Sequence, residues 1–396
     1  MPPPLLLDLT HTSHTRARTG IQRVARSLQT ALGDRALAIT HDPHGGRWRS
    51  LEAWEHANLS APGAAAKRGA NWPLAARLRG RFRRWLGGSA AGRDALGGAE
   101  TSGLVVPEVF SPAVARALPT LFAAAHGPRV ALFHDAIALK FPELTPTKTV
   151  ARFPAYLHEL LAFDGIAAVS EDSRDTLLEF WRWLGVRDTP PVHAIPLGVE
   201  NKGHGLRDPL ASEVPPVLLC VGSIEGRKNH LALLAACEQL WAGGARFTLR
   251  LIGLAHPDTG RAALAQVRAL QAAGRPLRYD GPLGDAEVDE AYAACAFTVY
   301  PSMIEGFGLP VLESLAHGRA CVCSGRGAVG ESARGGGCVA LDVVDAQHLA
   351  ATMGRLLDHA DELAALTSAA RARPLRTWSD YATDLLAWMG TLPRRN

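Results

Sequence analysis

The chain has 396 residues, of which 47% are hydrophobic and 20% charged, which excludes a wholly disordered chain and suggests about two globular domains. No apolar run reaches the roughly 18 residues that a membrane span requires. The formal net charge of +4 is small and no nucleic-acid motif accompanies it, so we expect no nucleic-acid partner.

Short β-rich runs alternate with helical patterns along the whole chain. In the first half they lie at residues 5–9, 36–40, 103–106, 130–133, 165–169 and 192–195. In the second half they lie at residues 217–221, 247–252, 277–280, 297–300, 320–323 and 338–341. Continuous apolar strands that alternate with helices predict parallel sheets covered on both faces. Two successive sets predict an α/β protein with two doubly wound domains and a ligand between them, at the carboxyl ends of the strands.

The cysteines and the amino terminus indicate the cellular compartment. The six cysteines lie within apolar runs and none forms a Cys-x-x-Cys pair, which favours buried, reduced thiols. The first residues reach Asp8 without the basic region of a signal peptide. We therefore expect a cytoplasmic protein.

Positive charge is concentrated in residues 45–102, which we interpret as an insertion, part helix and part loop. Between His56 and Arg93 there are eight lysines and arginines and no acidic residue. A helical wheel from Trp72 to Leu86 places an apolar face on one side and arginines around the rest. The apolar face consists of Leu74, Leu78, Phe82, Trp85 and Leu86, and the arginines are Arg77, Arg79, Arg81, Arg83 and Arg84. This pattern predicts an interfacial helix on an anionic membrane; the alternative is an ordinary helix that packs on the first domain with its arginines in solvent.

The most specific motif is the string PSMIEGFGLPVLES at residues 301–314, which follows the predicted strand 297–300 and leads into a helix. Glu305 and Glu313 are eight residues apart, so Glu305 belongs to the loop and Glu313 to the helix. Glycines between them allow the backbone to approach a ligand closely and to direct N–H groups at it. Two such carboxylates could hold two parts of one sugar nucleotide.

A second motif, VGSIEGRKNH at residues 221–230, follows the strand 217–221 and opens a helix. It combines a glycine-rich turn, a helix amino terminus and the basic pair Arg227 and Lys228. These three features together are typical of a phosphate-binding site.

Together these motifs resemble retaining glycosyltransferase family 4, enzymes of the GT-B fold that use nucleotide sugars. The resemblance covers most of the chain. Further matching segments are Thr19-Gly20-Ile21-Gln22-Arg23-Val24, residues 169–173, residues 195–199 and Leu132-Phe133-His134-Asp135. It implies two Rossmann-like doubly wound domains that face each other across a cleft. Residues 1–205 would form the acceptor-side domain, residues 206–375 the nucleotide-sugar domain, and residues 376–396 a last helix that crosses back onto the first domain.

The resemblance also implies roles for residues of the second domain. Lys228 and Arg227 would neutralise the donor diphosphate, and Glu313 would bind the ribose. Glu305 would face the transferred sugar. The other donor-binding positions are Gly222, Ser223, Gly306, Phe307, Gly308 and Leu309. Many members have an arginine where this chain has Ser223, so the phosphate role would pass to Arg227.

In the first domain, the resemblance implies that His134 contacts the sugar and that Asp135 is an acceptor-side group. Gly20 would let the first loop approach the diphosphate, although many members have two glycines where this chain has Thr19 and Gly20. The members are thought to react on one face of the sugar, with the leaving phosphate accepting the proton of the incoming hydroxyl. Glu305 would then orient the sugar without forming a stable covalent intermediate.

Two other classes of function are compatible with single features. Residues 325–330 spell Gly-x-Gly-x-x-Gly with Asp342 downstream, as in an NAD-dependent oxidoreductase, but the fingerprint normally follows the first strand of its unit. A catalytically inactive sugar-nucleotide-binding protein is the other alternative. The sequence contains no Asp-x-Asp, so we expect no metal site, and we expect no cofactor.

The expected activity is the transfer of a sugar, mannose from GDP-mannose, to a growing surface polysaccharide or lipopolysaccharide whose acceptor is lipid-linked. A UDP- or dTDP-sugar is the alternative donor. We expect the enzyme in the cytoplasm, with the inner face of the cytoplasmic membrane as its site of peripheral attachment.

Overall fold

The computed structural model describes residues 3–17, 20–61, 70–85, 100–200 and 215–394. Within these ranges the strands form two sheets, one in each half of the chain. Residues 201–214, where glycines and prolines suggest the join between the domains, lie outside the described part, as do Thr19 and Leu86.

The first sheet has the spatial order β3-β2-β1-β4-β5-β6-β7. Its strands are β1 Leu5–Asp8, β2 Ala36–Asp42, β3 Arg47–Ser50, β4 Leu104–Val106, β5 Arg129–Phe133, β6 Gly165–Ala168 and β7 Val192–Ala194. All pairs are parallel except β2 with β3. Leu6 of β1 lies beside Leu37 of β2 and Leu104 of β4, so the centre of the sheet is apolar and buried on both faces.

The second sheet has the order β10-β9-β8-β11-β12-β13 and is parallel throughout. Its strands are β8 Val217–Val221, β9 Thr248–Ile252, β10 Leu277–Tyr279, β11 Phe297–Tyr300, β12 Cys321–Ser324 and β13 Cys338–Leu341. Strand order reverses at β8 and β11, which places the crevice of a doubly wound fold at the ends of these two neighbours. The prediction of two doubly wound α/β domains is confirmed.

Helices cover both faces of the two sheets. In the first domain they are Thr10–Ser13, Gly20–Leu32, Ala53–Ser60, Leu74–Trp85, Pro112–Ala124, Ile137–Lys140, Thr147–Glu159 and Glu171–Trp183. In the second they are His230–Ala242, Arg261–Ala272, Asp285–Ala294, Leu309–Ala316, Gly327–Ala333, Ala346–Asp358 and Ala360–Ala372. The last helix is Trp378–Met389. No helix of the described residues has both the length and the apolarity for a bilayer crossing.

The last helix returns to the first domain, as the resemblance implied. Leu385 and Met389 lie in the same buried cluster as Leu5 and Val24. Just before this helix, the carbonyl of Arg376 accepts a hydrogen bond from the N–H of Val199 at 2.9 Å. The final segment therefore joins the end of the first domain to the second.

Residues 45–102 are only partly an insertion. Arg47–Ser50 is the edge strand β3, which the sequence analysis missed because its polar residues lack an apolar run. The helix predicted from residue 72 spans Leu74–Trp85 and packs on the first domain through Ala76 and Gly80. Its apolar residues Leu74 and Trp85 are 71% and 79% exposed, so the apolar face is not the side that packs on the first domain.

The cysteines behave as expected. All six fall within the described ranges and are free thiols, and five of them are buried. Burial raises the pKa of Cys220 to about 12, which makes this thiol unreactive at neutral pH.

Candidate active site

The two motifs of the second domain meet at the carboxyl ends of β8 and β11, which are hydrogen-bonded neighbours. The loop after β8 forms a short 3-10 turn, Gly226–Lys228, and leads into the helix His230–Ala242. The loop after β11 leads into the helix Leu309–Ala316. Because parallel strands end at the same edge of a sheet, the basic pair and Glu305 lie side by side.

Glu305 is the centre of a buried ionic cluster. One carboxylate oxygen, Oε2, lies 2.5 Å from Nη1 of Arg227, and the other, Oε1, lies 2.5 Å from Nζ of Lys228. Tyr300 donates its hydroxyl hydrogen to Oε1 at 2.8 Å. Burial alone would raise the pKa of Glu305, but Lys228 and Arg227 outweigh burial and lower it to about 2. The carboxylate is therefore ionised at neutral pH and bound by three donors.

Two residues of this cluster were missed in the sequence. Tyr300 is the last residue of β11 and contacts both Lys228 and Glu305. Glu225 accepts hydrogen bonds from Arg227 and Ser223 at 2.8 Å each. Ser223 thus binds the carboxylate that orients Arg227. Glu225 lies inside the motif at residues 221–230, and Tyr300 lies directly before the motif at residues 301–314, so both were visible in the sequence as polar residues.

Glu313 lies apart from this cluster and pairs with the other domain. It bonds to Arg23 of the helix Gly20–Leu32, and Tyr292 donates to it at 3.4 Å. The carboxylate raises the pKa of Arg23. Gly20 opens the helix that carries Arg23, so the start of this helix lies near the second domain. Arg23 was not recognised in the sequence, because its partner is 290 residues away.

His134 and Asp135 follow β5 and face the Glu305 loop from the first domain. Nε2 of His134 lies 2.7 Å from the carbonyl oxygen of Pro107. A carbonyl only accepts, so Nε2 carries the hydrogen and Nδ1 is left as an acceptor. Burial lowers the pKa of His134 and raises that of Asp135. The neutral imidazole can therefore accept a hydrogen bond at Nδ1.

The cleft between the domains is closed around Gly306. Its carbonyl accepts hydrogen bonds from Ser170 Oγ at 2.7 Å and from Ser173 Oγ at 3.2 Å. Across the same interface, Glu331 accepts from the N–H groups of Glu171 and Asp172 at 2.9 and 2.8 Å. A carboxylate at the amino terminus of a helix is favourable, so this contact stabilises the closed arrangement.

The remaining donor-side positions shape the loop. Gly308 has φ 111° and precedes the helix Leu309–Ala316, a left-handed conformation that favours glycine. The carbonyl of Phe307 accepts from Ser332 Oγ at 2.7 Å, and Leu309 is the first residue of the helix. Gly222 lies beside Lys228, since a Cβ there would be 3.9 Å from its Cε.

The Gly-x-Gly-x-x-Gly string lies after β12, near the edge of the second sheet, and forms the helix Gly327–Ala333. The glycines are used internally, because a Cβ at Gly330 would lie 2.1 Å from the carbonyl oxygen of Gly325. Ser332 and Glu331 of this helix bind Phe307 and the first domain. The segment thus supports the interdomain contact and is not placed at the first strand of its unit, where a dinucleotide fingerprint belongs.

A second acidic pair, absent from the sequence analysis, lies at the carboxyl ends of β1 and β4. Asp8 accepts from the N–H of Thr10 at 2.9 Å, and Glu108 accepts from the N–H of His11 at 2.8 Å. Burial raises the pKa of each carboxyl to about 7, and Glu108 contributes to the rise at Asp8. The pair therefore titrates near neutral pH beside the cleft.

This pair predicts a pH dependence of stability. The folded protein binds more protons than the unfolded chain between the ordinary carboxyl pKa values and about 7, so the free energy of unfolding should fall as the pH rises through this range. Replacing Asp8 by Asn and Glu108 by Gln should flatten the fall between pH 5 and pH 8 by a few kcal/mol, at about 1.4 kcal/mol per pKa unit. Denaturant titrations at pH 5 and pH 8 measure the free energy of unfolding of both proteins. An equal change of this free energy with pH in the wild type and the double variant would contradict the prediction.

Comparison with known proteins relates the chain to sugar-transferring enzymes. Residues 215–359 match the family model described as glycosyl transferases group 1. The chain is 25% identical over 334 residues to the serotype-specific mannosyltransferase WbdA of Escherichia coli, covering 78% of this chain and 37% of that protein. It is 29% identical over 271 residues to the O-antigen chain mannosyltransferase B of Escherichia coli, covering 65% of this chain and 68% of that protein. Anabaena HepE in complex with UDP-glucose superposes with a TM-score of 0.69 at 15% identity, covering 98% of this chain and 100% of that chain.

The two facing Rossmann-like domains and the returning last helix are the GT-B fold. Residues 215–359, which hold the second sheet, match the family model of group 1 glycosyl transferases. The chain spans 37% of the length of WbdA.

Proposed function

We propose that the protein is a retaining, metal-independent glycosyltransferase of family 4 that moves mannose from GDP-mannose to a growing, lipid-linked surface polysaccharide or lipopolysaccharide. The observation that carries this proposal is the cluster of Arg227, Lys228 and Glu305 at the edge of the second sheet, opposite His134. The relatives named as mannosyltransferases favour mannose. Cytoplasmic activity at the inner face of the membrane follows from a lipid-linked acceptor.

The chemistry requires positive charge where the leaving group forms. Breaking the bond from the anomeric carbon to the diphosphate builds negative charge on the phosphate, and Lys228, Arg227 and the amino terminus of the helix His230–Ala242 supply the opposite charge. The incoming hydroxyl attacks from the same face, and the leaving phosphate accepts its proton. Glu305 acts by position and charge, because a carboxylate with a pKa of about 2 and three bound donors is a weak nucleophile.

A thermal-shift screen of GDP, UDP, dTDP and ADP tests the donor. A nucleotide that binds only the folded state raises the melting temperature with its occupancy. GDP is expected to give the largest shift. In a second assay, GDP should be released from GDP-mannose when acceptor is added. If UDP or dTDP gives the largest shift, the donor is the alternative UDP- or dTDP-sugar. This alternative is retained because HepE, which has the same fold, is known in complex with UDP-glucose. No shift with any of the four would contradict the function.

Binding of the ribose by Glu313 predicts a competition with Arg23. The ion pair is partly exposed, with Arg23 45% exposed in its side chain, and such a pair contributes about 0.2–1 kcal/mol. Arg23→Ala should release Glu313 and tighten nucleotide binding by about two- to fivefold, whereas Glu313→Ala should weaken it. Isothermal titration calorimetry measures both, with Arg35→Ala as a control in the turn Gly33–Arg35 that follows the same helix. Weaker binding by Arg23→Ala would contradict the competition.

A further inference from the structure

The helix Leu74–Trp85, here called the basic helix, is fixed on the first domain by its small residues. A Cβ at Gly80 would lie 2.8 Å from Cβ of His44 and 3.0 Å from the N of Gly45. Just before the helix, Trp72 is buried against His14, with ring centroids 4.3 Å apart. These contacts determine which side of the helix faces outward.

The outward side is apolar. Its residues and their exposed fractions are Leu74 71%, Leu78 56%, Phe82 58% and Trp85 79%. At about 100° per residue these four fall within an arc of about 80°, and Ala76 and Gly80 lie roughly opposite. The most apolar face of the helix therefore points away from the protein, the reverse of an ordinary surface helix.

Arginines border the apolar stripe on both sides. By the same angles Arg77, Arg81 and Arg84 flank one edge, and Arg79 and Arg83 lie beyond the other. All five are exposed, and Arg79 is paired with Glu52. A surface depression beside the stripe is lined by Pro43, His44, Arg81, Arg84 and Trp85. Guanidinium groups beside such a depression are suited to phosphate.

A lipid surface fits these features better than a second copy of the chain. A symmetric contact between two such helices would bring ten arginines together with no acid on either helix, because an isologous interface pairs each patch with itself. An anionic bilayer instead accepts the apolar residues at the acyl boundary and the arginines at the phosphates.

We infer that the basic helix is the surface by which this protein binds an anionic membrane. Leu74, Leu78, Phe82 and Trp85 enter the interfacial layer, and the flanking arginines bind lipid phosphates. The purpose of this contact rests on the proposed lipid-linked acceptor, since the bound enzyme would hold its cleft near the membrane. Lipid binding itself requires neither donor nor transfer.

Co-sedimentation with vesicles tests the inference. The full chain is mixed with vesicles of phosphatidylcholine alone or of phosphatidylcholine with phosphatidylglycerol. Two variants alter the surface, Arg77→Glu/Arg81→Glu/Arg84→Glu and Leu78→Ser/Phe82→Ser. Their matched controls are Arg116→Glu/Arg246→Glu/Arg268→Glu, which makes the same change of charge at exposed arginines elsewhere, and Trp183→Ser, which removes an aromatic residue that is 80% exposed.

The wild type is expected to bind the anionic vesicles and to lose binding as salt is raised. The triple arginine variant should bind the anionic vesicles at least about tenfold more weakly, because each cation adds to the attraction. The Leu78/Phe82 variant should also bind more weakly. Both controls should bind like the wild type. Unchanged binding by the arginine variant, or an equal loss of binding in its charge control, would overturn the inference. So would a dimer that forms without lipid and that the substitutions Leu78→Ser/Phe82→Ser dissociate.

The thermal shift by nucleotide separates this test from that of the proposed function. It should be the same in all these variants, because the basic helix is outside the Glu305 cluster. Vesicle binding without any nucleotide shift would remove the proposed function and leave the membrane surface in place. Nucleotide binding without vesicle binding would do the opposite.

Discussion

Lys228→Ala is expected to lower kcat by about 10²-fold or more, as the loss of one preorganised electrostatic stabiliser often does. Nζ of Lys228 is buried and lies 2.5 Å from Glu305, so water cannot replace its charge efficiently at the leaving phosphate. The measurement is the steady-state rate of nucleotide release from the sugar donor. Lys148→Ala removes an exposed lysine and should leave the rate unchanged.

Glu305→Ala should lower kcat by a similar factor for a different reason. Without the carboxylate, Arg227 and Lys228 repel each other, and the charge that faces the anomeric centre is lost. Melting temperatures of both variants distinguish a catalytic loss from unfolding, because a broken buried pair also destabilises. Full activity in Lys228→Ala, or a rate abolished by EDTA and restored by Mg²⁺ or Mn²⁺, would contradict the mechanism.

The sequence predicted the fold well because both sheets, apart from the edge strand β3, consist of parallel and largely buried strands. A strand covered on both faces has a continuous apolar run, as in Val217–Val221 and Phe297–Tyr300, and this pattern does not depend on distant contacts. The strand Arg47–Ser50 was missed because it is an edge strand in an antiparallel pair, where polar side chains are tolerated.

The site was predictable where one motif or two adjacent strands determine it. Arg227, Lys228 and Glu305 were brought together by their positions after neighbouring strands. The pair of Arg23 with Glu313 depends on how the two domains sit against each other, and no local pattern encodes that arrangement. The pair of Asp8 and Glu108 was missed for a similar reason, since each is an isolated acid whose burial only the assembled sheet creates.

Gly306→Ala is expected to lower kcat/KM by about 10²-fold, since small misplacements of reacting groups have effects of this size. An added Cβ would lie 2.1 Å from the carbonyl oxygen of His134 in the other domain and 3.1 Å from Cβ of Asp135. The first neighbour is backbone, so the loop must move away from the first domain by about an ångström to reach ordinary contact. This movement would separate His134 from the sugar that we propose Glu305 to face.

The effect should be confined to domain closure. Binding of the free nucleotide should change little, because Gly306 is expected on the sugar side of the donor while Lys228 and Glu313 remain in the second domain. The thermal shift by free nucleotide should therefore stay near that of the wild type. Gly243→Ala is the matched control, since its Cβ would lie 3.4 Å from the nearest atoms and it follows the helix His230–Ala242 at the end opposite Lys228. Wild-type kcat/KM in Gly306→Ala would show that the close approach of Gly306 to His134 is not needed for catalysis. The catalytic arrangement would then be a more open form, in which Ser170 and Ser173 no longer bind the carbonyl of Gly306.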